Sequence, residues 1–291
     1  MNGHAPPFRR VTRGERGFPR GLHGPDGLPD ELWLRGTAPV ALLSQPAVAI
    51  VGSRACSPYG AHVARLLGRE VAAAGGVVVS GLARGIDAEA HRGALEAGGP
   101  TVAVLGCGID RDYPAVHASL AARICEHGLV VSEYEPGVEP APWQFPARNR
   151  IIAGLCDVTV IVEARERSGA LITADFALAY QRDLLAVPGE ITSSLSRGTN
   201  RLIARGAGPV LDPDCVLSLI GLVRSAWSPP VLGSDEAIVL SALGAASATA
   251  DELARATRLR PAALAAALTA LEVEGRVVAA EGRYRASLRR A

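Results

Sequence analysis

One short stretch of the chain concentrates side chains that can hold a nucleic acid. Trp143 and Phe145 offer flat aromatic faces, and Arg148 and Arg150 offer planar guanidinium groups with the amide of Asn149 between them. Aromatic rings stack on the bases of a single strand, and arginines pair with its phosphates. The alternative is structural, with aromatics that cap the core and arginines that form surface ion pairs. The stretch alone does not separate the two.

The residues that follow this stretch predict how it is held. Ile151, Ile152 and Leu155 have the spacing of a buried helix face, so the sequence predicts a helix over 149–155. The polar group would then lie at the helix N-terminus, where free backbone N–H groups favour an anion.

A second candidate anion site is the turn Gly52-Ser53-Arg54, which follows an apolar strand and enters a helix. Small residues let backbone N–H groups close on a phosphate, and Arg54 adds a two-pronged donor. A plain tight turn would use the same residues.

Catalytic chemistry has less support. Asp87 follows a glycine-rich turn and could cap the next helix or orient Arg54, and capping is the expectation. Glu133 and Glu163 end strands without a partner that defines an acid–base pair. Gly106-x-Gly108 lacks the third glycine of the dinucleotide fingerprint, because Arg111 stands there. We therefore expect recognition rather than catalysis, with no catalytic residue and no cofactor.

Composition limits how a nucleic acid could be held. The net charge is +1, so any such site must be a local arginine cluster. All 30 basic residues are arginine, which excludes a P-loop lysine or a lysine Schiff base. Five widely spaced cysteines favour free thiols in a reducing cytoplasm, and no metal-ligand spacing occurs. We find no signal peptide and no apolar run of about 18 residues, so we expect no membrane span.

The elements that would position these residues alternate between strands and helices. Short apolar strands are predicted at 48–51, 77–80, 101–105, 129–132, 158–163, 184–187 and 210–211. Continuous apolar strands separated by helices indicate an α/β fold, a Rossmann-like parallel sheet with helices on both faces. The loops after such strands share one edge, where ligands bind. Six arginines from distant segments would converge there: Arg54, Arg84, Arg148, Arg150, Arg165 and Arg167.

The remaining segments complete the domain organisation. Residues 1–46 are expected to form an irregular N-terminal extension, 47–221 the Rossmann-like domain, 222–232 a linker and 233–291 a small C-terminal domain. Helices at 235–243, 250–256 and 261–274, followed by two strands, predict a winged helix. Its third helix is mostly alanine and leucine, so a protein contact is as well supported as DNA reading.

Eight ordered motifs resemble the DNA-processing protein A family, also called DprA or Smf. They are VAIVGSR (48–54), SGLARGID (80–87), GCGIDRDYP (106–114), SEYEP (132–136), FPARNRIIAGL (145–155), SGALITA (168–174), AVPG (186–189) and GTNRLI (198–203).

The resemblance implies a cytoplasmic homodimer that is not an enzyme. It would bind single-stranded DNA, protect it, and load the RecA recombinase on it during natural transformation. By its motifs, Arg54 would hold phosphate, and the residues that would line the DNA groove or lie near it are Phe145, Arg148, Asn149, Arg150, Ser168, Gly169 and Asn200. The turn residues Gly52 and Ser53 and the convergent Arg84 complete the eleven residues implied for DNA binding.

Two other functions stay open. A nucleotide-binding or nucleotide-hydrolysing Rossmann-like enzyme would place its motif at Pro188-Gly189-Glu190, where the Gly-Thr expected to follow is missing. Alternatively, the C-terminal domain could be the functional end, as a reader of duplex DNA.

Overall fold

The computed structural model describes residues 8–24, 27–224, 234–243, 247–273, 276–280 and 282–286. They fall into two compact units that divide between residues 226 and 227. Within these ranges, no helix is long and apolar enough to cross a membrane.

Nine strands form the sheet of the first unit: β1 (Arg9–Thr12), β2 (Glu31–Arg35), β3 (Ala47–Val51), β4 (Val77–Ser80), β5 (Thr101–Leu105), β6 (Leu129–Ser132), β7 (Val158–Ile161), β8 (Asp183–Ala186) and β9 (Gly208–Pro209). Their spatial order is β1-β2-β6-β5-β4-β3-β7-β8-β9. Every pair from β6 to β9 is parallel, whereas β2 pairs antiparallel with β6 and with β1. The predicted parallel sheet is confirmed, although its last strand lies two residues earlier than expected.

Seven helices accompany this sheet: α1 (Pro58–Ala73), α2 (Ile86–Glu96), α3 (Ala118–His127), α4 (Gln144–Leu155), α5 (Gly169–Ala179), α6 (Arg197–Ala204) and α7 (Asp214–Leu217). Side chains of α4 and α5 pack on one face of the sheet, and those of α1, α2, α3 and α7 pack on the other. The fold is therefore a doubly covered sheet.

The strand sequences explain this double cover. Successive side chains of a strand point to opposite faces. In β3, Ala47, Ala49 and Val51 join the core under α4 and α5, while Val48 and Ile50 join the core under α1 and α2. A run that is apolar at every position is buried on both sides, as a central parallel strand must be.

The expectation of an irregular extension over residues 1–46 is wrong for the described part of that segment. β1 and β2 extend the sheet beyond β6, and Leu32 and Leu34 of β2 are fully buried. Their alternation with half-buried Glu31 and Trp33 is a strand pattern. It is short and lies among glycines, prolines and arginines, which obscure it in the sequence.

The helix predicted at 149–155 begins five residues earlier, at Gln144. Pro146 is tolerated there because the N–H groups of a first helical turn need no intrahelical acceptor. Arg148 and Arg150 therefore lie inside α4, and the expectation that they flank a helix N-terminus is wrong.

The second unit contains α8 (Ser234–Leu243), α9 (Ala250–Thr257) and α10 (Pro261–Val273), with a sheet in the order β10 (Ser247–Thr249), β12 (Arg283–Ala286), β11 (Val277–Ala280). Thr249 and Glu252 cap α9 reciprocally. The predicted winged helix is confirmed and gains a third short strand. Residues 225–232 of the predicted linker lie outside the described residues, whereas Leu222 packs on the core of the first unit.

Candidate nucleic-acid interface

A cavity of about 480 Å³ opens where the chain changes direction across the sheet. From β3 the chain builds β4, β5 and β6 on one side, and it then crosses to β7 on the other side. Ligands of open parallel sheets bind at such a switch point, beyond the carboxyl ends of the strands. The described lining comes from the loops after β3, β4 and β7 and from the starts of α4 and α5.

Tight backbone contacts fix the loop after β3. A Cβ atom on Gly52 would approach Ile86 Cγ1 to 2.7 Å and the Glu163 carbonyl oxygen to 2.9 Å, so only glycine fits. The Ser53 N–H donates to the Glu163 carbonyl at 2.8 Å, and the Ser53 carbonyl accepts from the Ile86 N–H at 3.2 Å. Arg54 is therefore presented from a rigid turn.

The cavity holds three exposed arginines: Arg54, Arg165 and Arg167. The Arg54 guanidinium lies over the Phe145 ring, 5.6 Å from its centroid. Among the described residues, none of the three forms an ion pair with a carboxylate. Their charges face solvent at the mouth of the cavity, beside one aromatic ring.

Arg148 lines the same cavity but is buried, with 4% of its surface exposed. Its guanidinium donates to the carbonyl of Gly81 at 2.7 Å, to the carbonyl of Val104, and to Asn149 Oδ1 at 3.2 Å. Burial lowers the pKa of Arg148 to about 10, an effect that the Asp87 carboxylate opposes. Arg148 therefore ties α4 to the loop after β4 and to β5, which occupies the guanidinium that the sequence offered to a phosphate.

The carboxylate of Asp87 is buried near the Arg148 guanidinium. Its Oδ2 accepts from the N–H groups of Gly81 at 3.1 Å and Ala83 at 3.4 Å. It therefore closes the preceding loop, and the prediction that it caps the next helix is wrong. Burial raises the pKa of this carboxyl, and the nearby Arg148 guanidinium opposes that rise.

Glu163, a second carboxylate near the cavity, also has hydrogen-bond partners. It is buried, and it accepts from the Ser57 N–H at 2.9 Å and from the Ser57 hydroxyl. This bond holds the start of α1 against the end of β7, so Glu163 has a structural partner that the sequence did not reveal.

The structure brings together eight of the eleven residues implied for DNA binding: Gly52, Ser53, Arg54, Phe145, Arg148, Asn149, Ser168 and Gly169. Asn149 donates to the Gly169 carbonyl at 3.1 Å, and the Ser168 hydroxyl accepts from the Ala170 N–H at 3.3 Å to cap α5. The first bond joins α4 to the start of α5, and the second caps α5 itself.

Three of the eleven lie outside the described lining. Arg150 donates to the Gly27 carbonyl at 2.6 Å and pairs with Glu133 at 2.6 Å. Asn200 bonds both the N–H and the carbonyl of Gly189, and Arg84 is exposed elsewhere on the loop after β4.

Arg165 and Arg167, in contrast, belong to the cavity, although the sequence placed them only on the ligand edge and assigned them no DNA contact. The sequence feature that could have identified them is a pair of arginines directly after a buried strand. Within the described ranges, no group of three His, Cys, Asp or Glu residues is arranged to hold a metal ion, and the five cysteines are unpaired.

Comparison with known proteins identifies the family of this chain. At the sequence level, the chain is 42% identical to a putative DNA processing protein DprA of Mycobacterium tuberculosis, over 87% of this chain and 68% of that protein. It is 48% identical to DprA of Streptococcus pneumoniae (61% of this chain, 62% of that one) and 46% identical to Protein Smf of Escherichia coli (58% and 46%). The chain thus spans about half to two thirds of these relatives' lengths.

Solved structures agree with the sequence relatives. The S. pneumoniae DprA structure superposes with a TM-score of 0.69 at 43% identity, covering 72% of this chain and 74% of that one. DNA processing protein A from Helicobacter pylori, whose single-stranded DNA binding mode has been described structurally, gives 0.65 at 32% identity, covering 72% and 93%. The model for DNA recombination-mediator protein A matches residues 9–221, and the model for the DprA winged helix domain matches 224–283. The chain therefore belongs to the DNA recombination-mediator protein A family.

Proposed function

We propose that this chain binds single-stranded DNA at the β3–β7 cavity and loads the RecA recombinase onto it. The observation that carries the proposal is the group of three arginines without carboxylate partners, Arg54, Arg165 and Arg167, beside the Phe145 ring. Guanidinium groups bind phosphates, and a ring at the same mouth can stack on a base. The relative from H. pylori, described by its single-stranded DNA binding, supports the same assignment.

The cavity is suited to a strand rather than to a duplex. A volume of about 480 Å³ holds one or two nucleotide units, and the phosphates of an extended strand can reach arginines on both walls. The duplex contact that the winged helix could make remains a separate prediction, tested with a fragment covering 232–291.

Nucleotide hydrolysis has less support. Asp87 is the one carboxylate among the described lining residues, and it is buried and bonded to backbone N–H groups. Glu163 is bonded to Ser57. Release of free base from nucleoside monophosphates by the purified chain would restore the enzymatic alternative.

Fluorescence anisotropy of a labelled oligonucleotide, single-stranded or duplex, tests the binding proposal. We expect a strong preference for the single strand that Arg54→Ala weakens. Arg123→Ala serves as a matched control, because this exposed arginine of α3 lies outside the cavity and outside the residues implied for DNA binding. Equal binding of both DNA forms, or equal loss in both variants, would contradict the assigned site.

RecA loading is tested on single strands coated with a single-stranded DNA-binding protein. Addition of the chain should restore RecA-dependent strand pairing, and Arg54→Ala should restore less. Strand pairing that is unaffected by the wild-type chain would remove this part of the proposal. The homodimer that the resemblance implies is tested by light scattering of the purified chain, where a monomeric mass would contradict it.

A further inference from the structure

An exposed group of aromatic rings lies beside the arginine cavity. Tyr113 stacks on Phe145 with ring centroids 5.1 Å apart and an interplanar angle of 29°, and Trp143 meets Tyr134 edge to face at 6.2 Å. We call Tyr113, Tyr134 and Trp143 the aromatic surface. Trp143 is 65% exposed and Tyr113 is 43% exposed, whereas Phe145 is half-buried. Among these four rings, Tyr113 and Trp143 are therefore the most exposed to solvent.

The aromatic surface continues the cavity along the same edge of the sheet. Tyr113 lies in the loop after β5 and Tyr134 in the loop after β6, strands that neighbour each other about 4.8 Å apart. The contacts from Arg54 to Phe145 and from Phe145 to Tyr113 link Tyr113 to the cavity, and Trp143 lies two residues before Phe145 in the chain. A strand that leaves the cavity towards β6 would meet these rings in order.

The charges near the aromatic surface favour bases over phosphates. Three arginines near it are paired with carboxylates: Arg35 with Asp112 at 2.6 Å, Arg111 with Glu139 at 2.7 Å and Arg150 with Glu133 at 2.6 Å. Paired arginines offer little net attraction to a phosphate, and the remaining attraction must come from the rings.

We propose that Tyr113 and Trp143 stack on the bases next to the nucleotides held in the cavity. Tyr134 supports the Trp143 ring from its edge. The proposal rests on the single-strand binding proposed above and deepens it, because it assigns a second subsite that reads base faces rather than phosphates. Binding at this subsite should depend on oligonucleotide length and only weakly on salt.

Variants with matched controls separate this subsite from the cavity. Tyr113→Ala and Trp143→Ala should each weaken binding of a 15-nucleotide strand about 5- to 150-fold, with an unchanged salt slope and little effect on a dinucleotide. Tyr180→Ala is the control, because Tyr180 stacks on Phe176 at a similar angle (28°) but ends α5 at the opposite edge of the sheet. It should bind like wild type. Tyr113→Phe and Trp143→Phe keep a ring and should retain most of the affinity.

Tryptophan fluorescence gives an independent readout. The chain has three tryptophans, so Trp33→Phe with Trp227→Phe leaves Trp143 as the reporter. Its emission should be quenched by the 15-nucleotide strand and unchanged by a dinucleotide.

The subsite would be overturned if the wild-type chain binds the strand, Trp143 emission is not quenched, and the alanine variants bind as tightly as wild type. The cavity proposal would still stand in that case. Equal losses in the alanine and phenylalanine variants would overturn stacking as the cause. No single-strand binding by the wild-type chain would instead refute the proposed function itself.

Discussion

The carboxyl edge of the sheet carries arginines over both of its halves, but their surroundings differ. Over β3 and β7, Arg54 and Arg165 have no carboxylate partner among the described residues. Over β5 and β6, Arg35, Arg111 and Arg150 are each paired with an aspartate or glutamate. A chain of net charge +1 thus concentrates usable positive charge by leaving one half of the edge unpaired, rather than by adding basic residues.

The largest expected effect is a loss of stability when the buried arginine of the edge, Arg148, is replaced by alanine. Arg148→Ala removes the donor to the Gly81 and Val104 carbonyls and leaves the buried Asp87 without its compensating charge. We expect a loss of about 3–5 kcal/mol in the free energy of unfolding. Urea denaturation of the full chain measures it, with Arg54→Ala as the exposed counterpart, expected to change stability by less than about 1 kcal/mol. Equal stability of the two variants would show that Arg148 does not anchor the loops.

An intermediate effect is expected where the two halves meet. Phe145→Ala should weaken single-strand binding by about 1–3 kcal/mol, since the ring lines the cavity and can stack on a base. Phe145→Leu keeps much of the packing volume but loses the flat face, so titration of both variants should give similar losses. Full binding by Phe145→Leu, or unfolding of both variants, would instead assign Phe145 to packing.

The smallest effect is expected over β5 and β6. Arg111→Ala breaks an exposed pair with Glu139, and such pairs contribute about 0–1 kcal/mol to stability. Its affinity for a single strand and the salt dependence of that affinity should match wild type. A reduced salt slope in this variant would mean that the paired arginines also hold phosphate, and the contrast between the halves would be lost.

The sequence predicts the sheet well because each central strand is a short, continuous run of apolar residues. Val77–Ser80 and Leu129–Ser132 are short apolar runs, and both are strands with the predicted bounds. β2 was missed because its alternation of buried and half-buried residues covers only five positions among turn residues. The start of α4 was missed because Trp143, Gln144 and Phe145 show no helical spacing of apolar residues.

The candidate site could be predicted by residue type but not by role. Arg148 and Arg54 both sit in motifs suited to phosphate, yet one is buried against carbonyls and the other is exposed. Arg150 was expected in the groove and instead pairs with Glu133, which lies 17 positions away. Such pairings depend on which loops meet at the edge, and local sequence does not carry that information.

The most direct test of the account is the salt dependence of single-strand affinity in wild type, Arg54→Ala, Arg165→Ala and Arg111→Ala. Each phosphate contact of a single strand contributes about 0.7 to the slope of log K against log salt concentration. We predict that Arg54→Ala and Arg165→Ala each lower the slope by about that amount, while Arg111→Ala leaves it unchanged. Equal slopes in all four proteins, or a loss confined to Arg111→Ala, would contradict a phosphate site at the unpaired arginines.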